Sequence, residues 1–233
     1  MPWKRIPGAL ARISAGSVTN VWGVDSASNI FRYTGDDTNP WVPIPGSLTD
    51  VSAASDGTVW GVNTSGEILR FTWDSRYWIK ISGNLQQISV GSSKSVWGVD
   101  AAGKIWRYTG DDNKPWVQIP GTLTQVGAGA DGTVWGVNSG GNIYYYAEDR
   151  VDPDHWVQVP GCLAAISVGT KTSVWAVNKA GNVYTITADE GKCRSQDVDI
   201  PPLACGLVDI SAAADGTVWG VNSVGNIYRW IRD

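Results

Sequence analysis

Apolar and polar residues alternate along this chain in short runs, and glycine, asparagine, aspartate or proline bounds each run. The runs are rich in β-branched and aromatic residues, a pattern typical of β-strands. No useful window shows the periodicity of an amphipathic helix. The pattern therefore predicts an all-β protein.

One stretch shows the repeating unit clearly. Its four runs are 123–128 (LTQVGA), 133–138 (TVWGVN), 142–146 (NIYYY) and 156–160 (WVQVP). Asp131-Gly132, between the first two runs, is a strong hairpin signal. The unit is thus predicted to contain four strands joined by turns.

The second run of the unit, Val-Trp-Gly-Val, recurs six times at intervals of 38, 37, 38, 40 and 44 residues. Its tryptophans are Trp22, Trp60, Trp97, Trp135, Trp175 (in Val-Trp-Ala-Val) and Trp219. A four-stranded repeat of about 40 residues has the size of a propeller blade and must pack against its neighbours to be stable. We therefore predict a six-bladed β-propeller with four antiparallel strands per blade, a single domain over residues 1–233.

The two ends of the chain complement each other. The sixth repeat ends at 227–231 without the Trp-x-x-Ile-Pro-Gly run that closes other repeats, and that run stands at 3–8 instead. The N-terminal strand is therefore predicted to join the last blade. This arrangement closes the ring and removes two exposed sheet edges.

The fifth repeat is irregular. An insertion, 188–196, follows its third run, and we assign Asp197 to the position at which other repeats have the fourth-strand tryptophan. Cys193 and Cys205 flank this fourth strand and could pair, although a reducing compartment would keep them, with Cys162, as free thiols.

Composition and charge limit the partners. The net charge is −4 with both signs interspersed, which excludes the basic surface that nucleic acids require. No run of about 20 apolar residues is present to span a membrane, and the N-terminus lacks an apolar signal core. We therefore expect a cytoplasmic protein, or one exported without a classical signal peptide.

Catalytic chemistry is poorly supplied. His155 is the single histidine and follows a loop sequence, and neither a nucleophile elbow, zinc-type spacing nor a phosphate loop occurs. The acid pairs Asp36-Asp37 and Asp111-Asp112 could hold calcium, but turn chemistry explains them better, and catalysis least well. We expect no enzyme activity, no cofactor and no resident metal.

Tryptophan is the residue in excess, with fourteen copies against one methionine and two phenylalanines. Indole rings can stack on sugar rings, or they can fill the wedge between blades. We expect each role for different tryptophans. In four repeats the third run also carries an arginine that could reach a ligand or tie blades together: Arg32, Arg70, Arg107 and Arg229.

A carboxylate or amide follows the second run in every repeat. These residues are Asp25, Asn63, Asp100, Asn138, Asn178 and Asn222. A hydrogen-bonding side chain beside an indole at every blade edge suits a multivalent ligand site. It equally suits a turn in which the side chain caps its own backbone, and both interpretations remain open.

The order Trp-x-x-Ile-Pro-Gly-x-Leu, Ile-Ser-x-Gly, Val-Trp-Gly-Val-Asn and Gly-x-Ile-Tyr-Arg resembles the tectonin repeat, and the whole chain looks most like a mushroom tectonin. The resemblance implies a non-enzymatic lectin for surface glycans, with O-methylated mannose or fucose on bacteria and nematodes as targets in innate defence. A methyl group in an apolar pocket contributes only about 1 kcal/mol. Avidity must then come from several sites, and self-association into a homo-oligomer would increase it.

The resemblance also implies which residues bind the glycan. The predicted pairs are Trp22 with Asp25, Trp60 with Asn63, Trp97 with Asp100, Trp135 with Asn138, Trp175 with Asn178, and Trp219 with Asn222. The pair in the irregular fifth repeat departs most from the pattern. The alternative function is a propeller scaffold for protein partners, but recurrence of the tryptophan and Asn/Asp positions favours the lectin.

Overall fold

The computed structural model describes residues 3–148, 155–189, 192–197 and 206–231. Every regular element in these ranges is a β-strand. The same ranges contain no helix long and apolar enough to cross a bilayer. The strands pair into six separate four-stranded sheets, which are the predicted blades.

The strands of each blade follow one another along the chain, with a single exception at the ring closure. Blade one contains β2 (Arg12–Ser17), β3 (Asn20–Val24), β4 (Ile30–Tyr33) and β5 (Trp41–Ile44). Blade two contains β6 (Asp50–Ala53), β7 (Val59–Val62), β8 (Ile68–Thr72) and β9 (Tyr77–Ile81). Blade three contains β10 (Gln87–Ser92), β11 (Ser95–Val99), β12 (Lys104–Tyr108) and β13 (Trp116–Thr122).

The second half of the ring repeats this order. Blade four contains β14 (Gln125–Ala128), β15 (Val134–Val137), β16 (Ile143–Tyr146) and β17 (Trp156–Val159). Blade five contains β18 (Ala165–Thr170), β19 (Ser173–Val177), β20 (Val183–Asp189) and β21 (Lys192–Asp197). Blade six contains β22 (Leu207–Ala212), β23 (Val218–Asn222), β24 (Ile227–Trp230) and β1 (Trp3–Ile6).

The six blades form a closed ring. The first strand of each blade contacts the first strands of both neighbours, and β2 of blade one contacts β22 of blade six. β1 supplies the outer strand of blade six, with Trp3 opposite Trp230 and Ile6 opposite Ile227. The propeller and its closure by the N-terminal strand are both confirmed.

The register of blade five corrects one prediction. In blade one the first residue of the outer strand, Trp41, lies opposite Tyr33. The corresponding position in blade five, opposite Ile186, is held by Ser195, whereas Asp197 lies two residues further along, opposite Tyr184. The assignment of Asp197 was wrong because the supposed insertion is largely strand: β20 and β21 pair as far as Asp189 opposite Lys192.

Blades pack face to face, so the second strand of each blade is buried on both sides. The Val-Trp-Gly-Val positions in β3, β7, β11, β15 and β23 are buried. The glycine makes room for a leucine that precedes the first strand of the same blade: a Cβ on Gly61 would lie 2.4 Å from Leu48 Cδ1. The apolar cores accordingly lie between blades, one cluster for each pair of neighbours.

Polar contacts around the axis explain why the repeats alternate. In blades two, four and six the aspartate of the Asp-Gly turn accepts a backbone N–H from the turn of the following blade: Asp56 from Ser93, Asp131 from Lys171, and Asp215 from Val18. Across the next boundary, Asn20 of blade one donates instead to the carbonyl of Ala54 in blade two. The Asp-Gly turns thus make one kind of junction that recurs three times, and Asn20 makes a different contact between blades one and two.

Candidate functional site

The six Val-Trp-Gly/Ala-Val tryptophans are core residues. Their exposed fractions lie between 0 and 7 %. In four of the six junctions the indole meets two aromatic rings of the following blade, the last ring of its third strand and the first tryptophan of its outer strand. In a fifth junction Trp175 meets Trp230, which in turn meets Trp3. These aromatic triads are Trp219, Tyr33 and Trp41; Trp22, Phe71 and Trp78; Trp60, Tyr108 and Trp116; Trp97, Tyr146 and Trp156; and Trp175, Trp230 and Trp3.

Rings within a triad contact edge to face, except for the tilted pair Trp175 and Trp230, and their centroids lie between 4.9 and 6.4 Å apart. This packing covers the indole faces that a sugar would need for stacking. The structure therefore shows blade packing for Trp22, Trp60, Trp97, Trp135, Trp175 and Trp219, with no open face toward a ligand. Their predicted role in glycan stacking stays a prediction. Alternation along the strand does not separate buried from open positions here, because a neighbouring blade covers each face.

The six Asn/Asp residues cap turns. In every blade the Oδ1 atom accepts the N–H groups of the second and fourth following residues, at 2.8–3.2 Å: Asp25, Asn63, Asp100, Asn138, Asn178 and Asn222. The turn interpretation is thereby confirmed. The second polar atom is engaged as well in the first two blades, where Asp25 Oδ2 accepts the Nδ2 group of Asn29 and Asn63 Nδ2 donates to Glu67. A binding role for these six residues stays a prediction.

In three blades that second polar atom holds a ring of the third strand. Asp100 Oδ2 accepts the indole N–H of Trp106 at 3.0 Å. Asn138 and Asn178 donate their Nδ2 groups to the hydroxyls of Tyr144 and Tyr184. These rings are half-buried, and each is held next to an oriented polar group. The turns between second and third strands define what we call the Asx side of the ring.

The third-strand arginines connect neighbouring blades. Arg70 lies over the ring of Trp60 and makes a bidentate pair with Asp112, at 2.8 and 3.1 Å. Arg229 lies over Trp219 and pairs in the same way with Asp37. Arg107 lies over Trp97 and reaches Glu148 at 3.1 Å. Of the two roles left open for these arginines, the structure shows the tie between blades.

The two residues of each acid pair have different roles. Asp36 and Asp111 accept the backbone N–H groups of Thr38 and Asn113, as ordinary turn residues do. Hydrogen bonds from Arg70 and then from Tyr108 lower the pKa of Asp112 below its usual range. Within the described residues no group of three histidine, cysteine, aspartate or glutamate side chains is arranged to hold a metal.

Arg32 is placed differently from the other third-strand arginines. Its guanidinium lies 4.7 Å from the ring centroid of Trp73, where the corresponding junctions supply a carboxylate. Trp73 is 42 % exposed, and Tyr77 nearby is 55 % exposed. Blade two therefore carries an aromatic surface on the side of the ring opposite the Asx side, a feature that the repeat pattern did not single out.

A charged cluster at the axis also escaped the sequence analysis. Arg12 and Asp50 begin the first strands of blades one and two, and Asp209 is the third residue of the first strand of blade six. The three side chains line a cavity of about 590 Å³ at the mouth of the central channel. Asp50 accepts the N–H of Ile88 and Asp209 accepts that of Ile13, each at 3.0 Å. The carboxylates thus join adjacent blades, and only the closed ring brings them together.

Burial dominates the electrostatics of this cluster. Burial raises the pKa of Asp50 to about 6, although the nearby charge of Arg12 partly opposes the change. Burial likewise raises the pKa of Asp209 against the charge of Arg12, whose guanidinium lies 3.8 Å from it. The protein therefore bears the cost of an ionised Asp50 at neutral pH.

Asp50→Asn is expected to stabilise the protein near pH 7.5 by about 1–3 kcal/mol, since each pH unit between folded and unfolded pKa values corresponds to about 1.4 kcal/mol. A folded-state pKa above the ordinary value means that the folded state binds the proton more tightly. The penalty in the wild type therefore grows from about pH 4 to about pH 6 and then stays constant. Urea unfolding at several pH values measures the difference.

The asparagine oxygen can still accept the Ile88 N–H, so the variant removes the charge and keeps this hydrogen bond. Asp74→Asn, at an exposed position, serves as the control and should change stability little at any pH. A stability gain from Asp50→Asn that persists undiminished below pH 4 would contradict the ionisation argument.

The remaining candidates have structural roles or lie outside the described residues. His155 adopts a positive φ of 47°, and its Nδ1 lies 3.2 Å from the carbonyl of Ala147, which fits the predicted loop role. Cys162 is an exposed free thiol. The pairing of Cys193 with Cys205 lies outside the described residues.

Comparisons with known proteins agree with this geometry. A family model described as "Tectonin domain" matches residues 9–199. Among curated protein sequences, none matches the chain.

Solved structures share the fold at low sequence identity. "YCF48 bound to D1 peptide" is 18 % identical, covers 100 % of this chain and 98 % of its own, and has a TM-score of 0.60. Virginiamycin B lyase from Staphylococcus aureus is 16 % identical, with coverage of 95 % and 80 % and a TM-score of 0.63. A chain of the mitotic checkpoint complex is 10 % identical, with coverage of 99 % and 91 % and a TM-score of 0.69. At such identities the similarity concerns the fold alone.

Proposed function

Because the chain belongs to the tectonin family, we propose that it is a multivalent lectin whose sites lie on the Asx side of the ring. A tectonin β-propeller is generally a non-enzymatic binding fold, and we extend this to the absence of catalysis and of any cofactor requirement. Glycans on cell surfaces are the proposed partners.

The observation that carries the proposal is the repeated pairing of a half-buried third-strand ring with a capped turn. Trp106, Tyr144 and Tyr184 are held by Asp100, Asn138 and Asn178 respectively. A sugar needs an apolar surface for its C–H groups and oriented polar groups for its hydroxyls. The proposed site therefore keeps the predicted Asn/Asp residues and replaces the buried indole with the third-strand ring.

Family membership supports a proposal for the ligand class. We propose O-methylated mannose or fucose on bacteria and nematodes, recognised by a fungal-type defence lectin that acts in the cytoplasm or after export without a classical signal peptide. One buried methyl group strengthens binding at one site about fourfold, the equivalent of about 0.8 kcal/mol. Several sites on one ring, and self-association of rings, would multiply this preference on a surface.

An array of free and O-methylated mannosides and fucosides tests the proposal. The protein is expected to retain methylated sugars selectively, with and without EDTA. Trp106→Ala should weaken the signal because it removes one ring and leaves Asp100 without its indole partner. Trp73→Ala is the matched control, since Trp73 lies on the opposite side of the ring, and its signal should match the wild type.

Both variants must melt cooperatively for the comparison to count. Equal glycan binding by Trp106→Ala and the wild type would show that the third-strand ring is not part of the site. Loss of glycan binding in Trp73→Ala alone would show that the site lies on the side of the propeller opposite the Asx side.

A scaffold for protein partners is the second candidate. The observation that favours it is the exposed pair Trp73 and Tyr77, which occurs on blade two and does not recur around the ring. A surface of this kind suits one specific partner better than a repeated ligand. The structural relative with a bound D1 peptide shows that this fold accommodates polypeptides in that protein. A blank glycan array from folded protein would favour the scaffold.

A further inference from the structure

The junction between blades four and five lacks the aromatic triad that fills the other five junctions. At the position of the last third-strand ring it has Ile186, and at the position of the outer-strand tryptophan it has Ser195, a residue type without a ring. A cavity of about 210 Å³ lies at this junction, lined by Ile143, Pro160, Gly161, Cys162, Leu163, Tyr184 and Ile186. We call it the blade-five slot.

Four other junctions show what occupies the corresponding space. There the outer-strand tryptophan lies against the glycine of the Ile-Pro-Gly or Ile-Ser-Gly run of the preceding blade. A Cβ on Gly8 would lie 2.8 Å from Trp41, and one on Gly83 would lie 2.7 Å from Trp116. The same contact occurs at Gly46 with Trp78 and at Gly121 with Trp156. A Cβ on Gly161 would meet Ile143 instead, and no indole atom of the described chain lies within 4 Å of it.

The four occupied junctions also show how the ring is oriented. Each indole N–H donates to the carbonyl just before the glycine, at 2.8–3.0 Å: Trp41 to Pro7, Trp78 to Pro45, Trp116 to Ser82, and Trp156 to Pro120. The corresponding carbonyl in the slot belongs to Pro160, and within the described residues no donor reaches it. The slot therefore combines a flat glycine surface, apolar walls and one acceptor at the position of an indole N–H.

We propose that the blade-five slot binds a free small molecule with a flat aromatic ring and an N–H donor at its edge, with indole as the best match. An apolar cavity of roughly 150 Å³ accommodates benzene, so about 210 Å³ accommodates the larger bicyclic ring. A polypeptide strand fits less well, because β21 already pairs with β20 where an added outer strand would run. The slot shares Tyr184 with the proposed glycan site at Asn178, but it includes neither Trp106 nor Trp73, the residues whose variants test glycan binding.

Fluorine NMR of 5-fluoroindole titrated with the intact protein tests the proposal. A saturable shift with one site per chain is expected. Ser195→Trp should supply the missing ring from within the chain and weaken indole binding at least about tenfold, the equivalent of 1.4 kcal/mol. Trp156→Ser should open a second slot of the same kind between blades three and four and raise the stoichiometry to two.

A second measurement places the ligand. Cys162 lines the slot and is exposed, so indole should slow its alkylation, which peptide mapping distinguishes from that of the other cysteines. Absence of saturable binding by folded protein, or binding that Ser195→Trp leaves unchanged, overturns the proposal. The peptide acetyl-Trp-Val-Gln-Ile-Pro-Gly-amide serves as a competitor. If the protein binds this peptide more tightly than indole, and Ser195→Trp abolishes that binding, the ligand of the slot is a polypeptide and the small-molecule proposal is overturned.

Discussion

Deletion of residues 1–8 is expected to lower the free energy of unfolding by at least about 5 kcal/mol, because it removes Trp3 and Ile6 from the core, and truncating either side chain alone costs about 2–5 kcal/mol. The deletion also exposes the edge of β24 and removes the Pro7 carbonyl that accepts the Trp41 indole N–H. Domains are stable by only about 5–15 kcal/mol. We therefore expect largely unfolded or aggregated protein, measured by near-UV circular dichroism and urea unfolding.

A full-length Arg5→Ala variant provides the control for this deletion. Arg5 lies on the same strand, but its side chain is exposed and bonds only the Asn226 side chain among the described residues. Such a surface change should alter stability by about 0.5 kcal/mol or less. A deletion variant that melts at the wild-type temperature would contradict the role of β1 as a structural strand.

Most of the fold could be predicted from the sequence because the same strand pattern occurs six times along the chain. The spacing of Val-Trp-Gly-Val predicted the number of blades, and the Trp-x-x-Ile-Pro-Gly run at the N-terminus predicted that the first strand joins the last blade, where Trp3 lies opposite Trp230. Blade five was the exception. Its long β20–β21 hairpin shifts the outer strand by two residues, and strand register depends on pairing that a single repeat does not reveal.

The candidate site was less predictable because burial in a propeller depends on the neighbouring blade. Trp60 and Trp106 are both aromatic and both lie on inner strands, yet Trp60 is 1 % exposed and Trp106 is half-buried. The Asn/Asp turns were recognised, but their partner rings lie on the third strand. The Arg12, Asp50 and Asp209 cluster joins blades one, two and six, so nothing in the linear order places these residues together.

The blade-five slot also depends on the neighbouring blade, but there the result is an empty space and not a buried ring. The sequence indicated that blade five had lost a tryptophan, but the consequence lies in the space next to blade four. Gly161 and Pro160 keep the backbone features that bind an indole elsewhere, including the positive φ of 131° at Gly161. A repeat protein can thus retain half of an internal contact after the other half has changed.

Trp60→Ala is expected to lower the free energy of unfolding by about 3–5 kcal/mol, as large-to-small changes at fully buried aromatic positions do. Trp60 is 1 % exposed, it packs against Tyr108 and Trp116, and Arg70 lies over its ring. The substitution would leave a cavity at the junction of blades two and three. Urea unfolding measures the loss, with Trp73→Ala, at an exposed tryptophan, as the control.

The same variant separates the two roles that the sequence allowed for the repeated tryptophans. A core role predicts reduced stability in Trp60→Ala and unchanged glycan binding by the fraction that remains folded. A binding platform would show the reverse, with wild-type stability and loss of one site. Because the packing of Trp60 recurs at Trp22, Trp97 and Trp219, the result at this one position decides how the sequence motif should be interpreted around most of the ring.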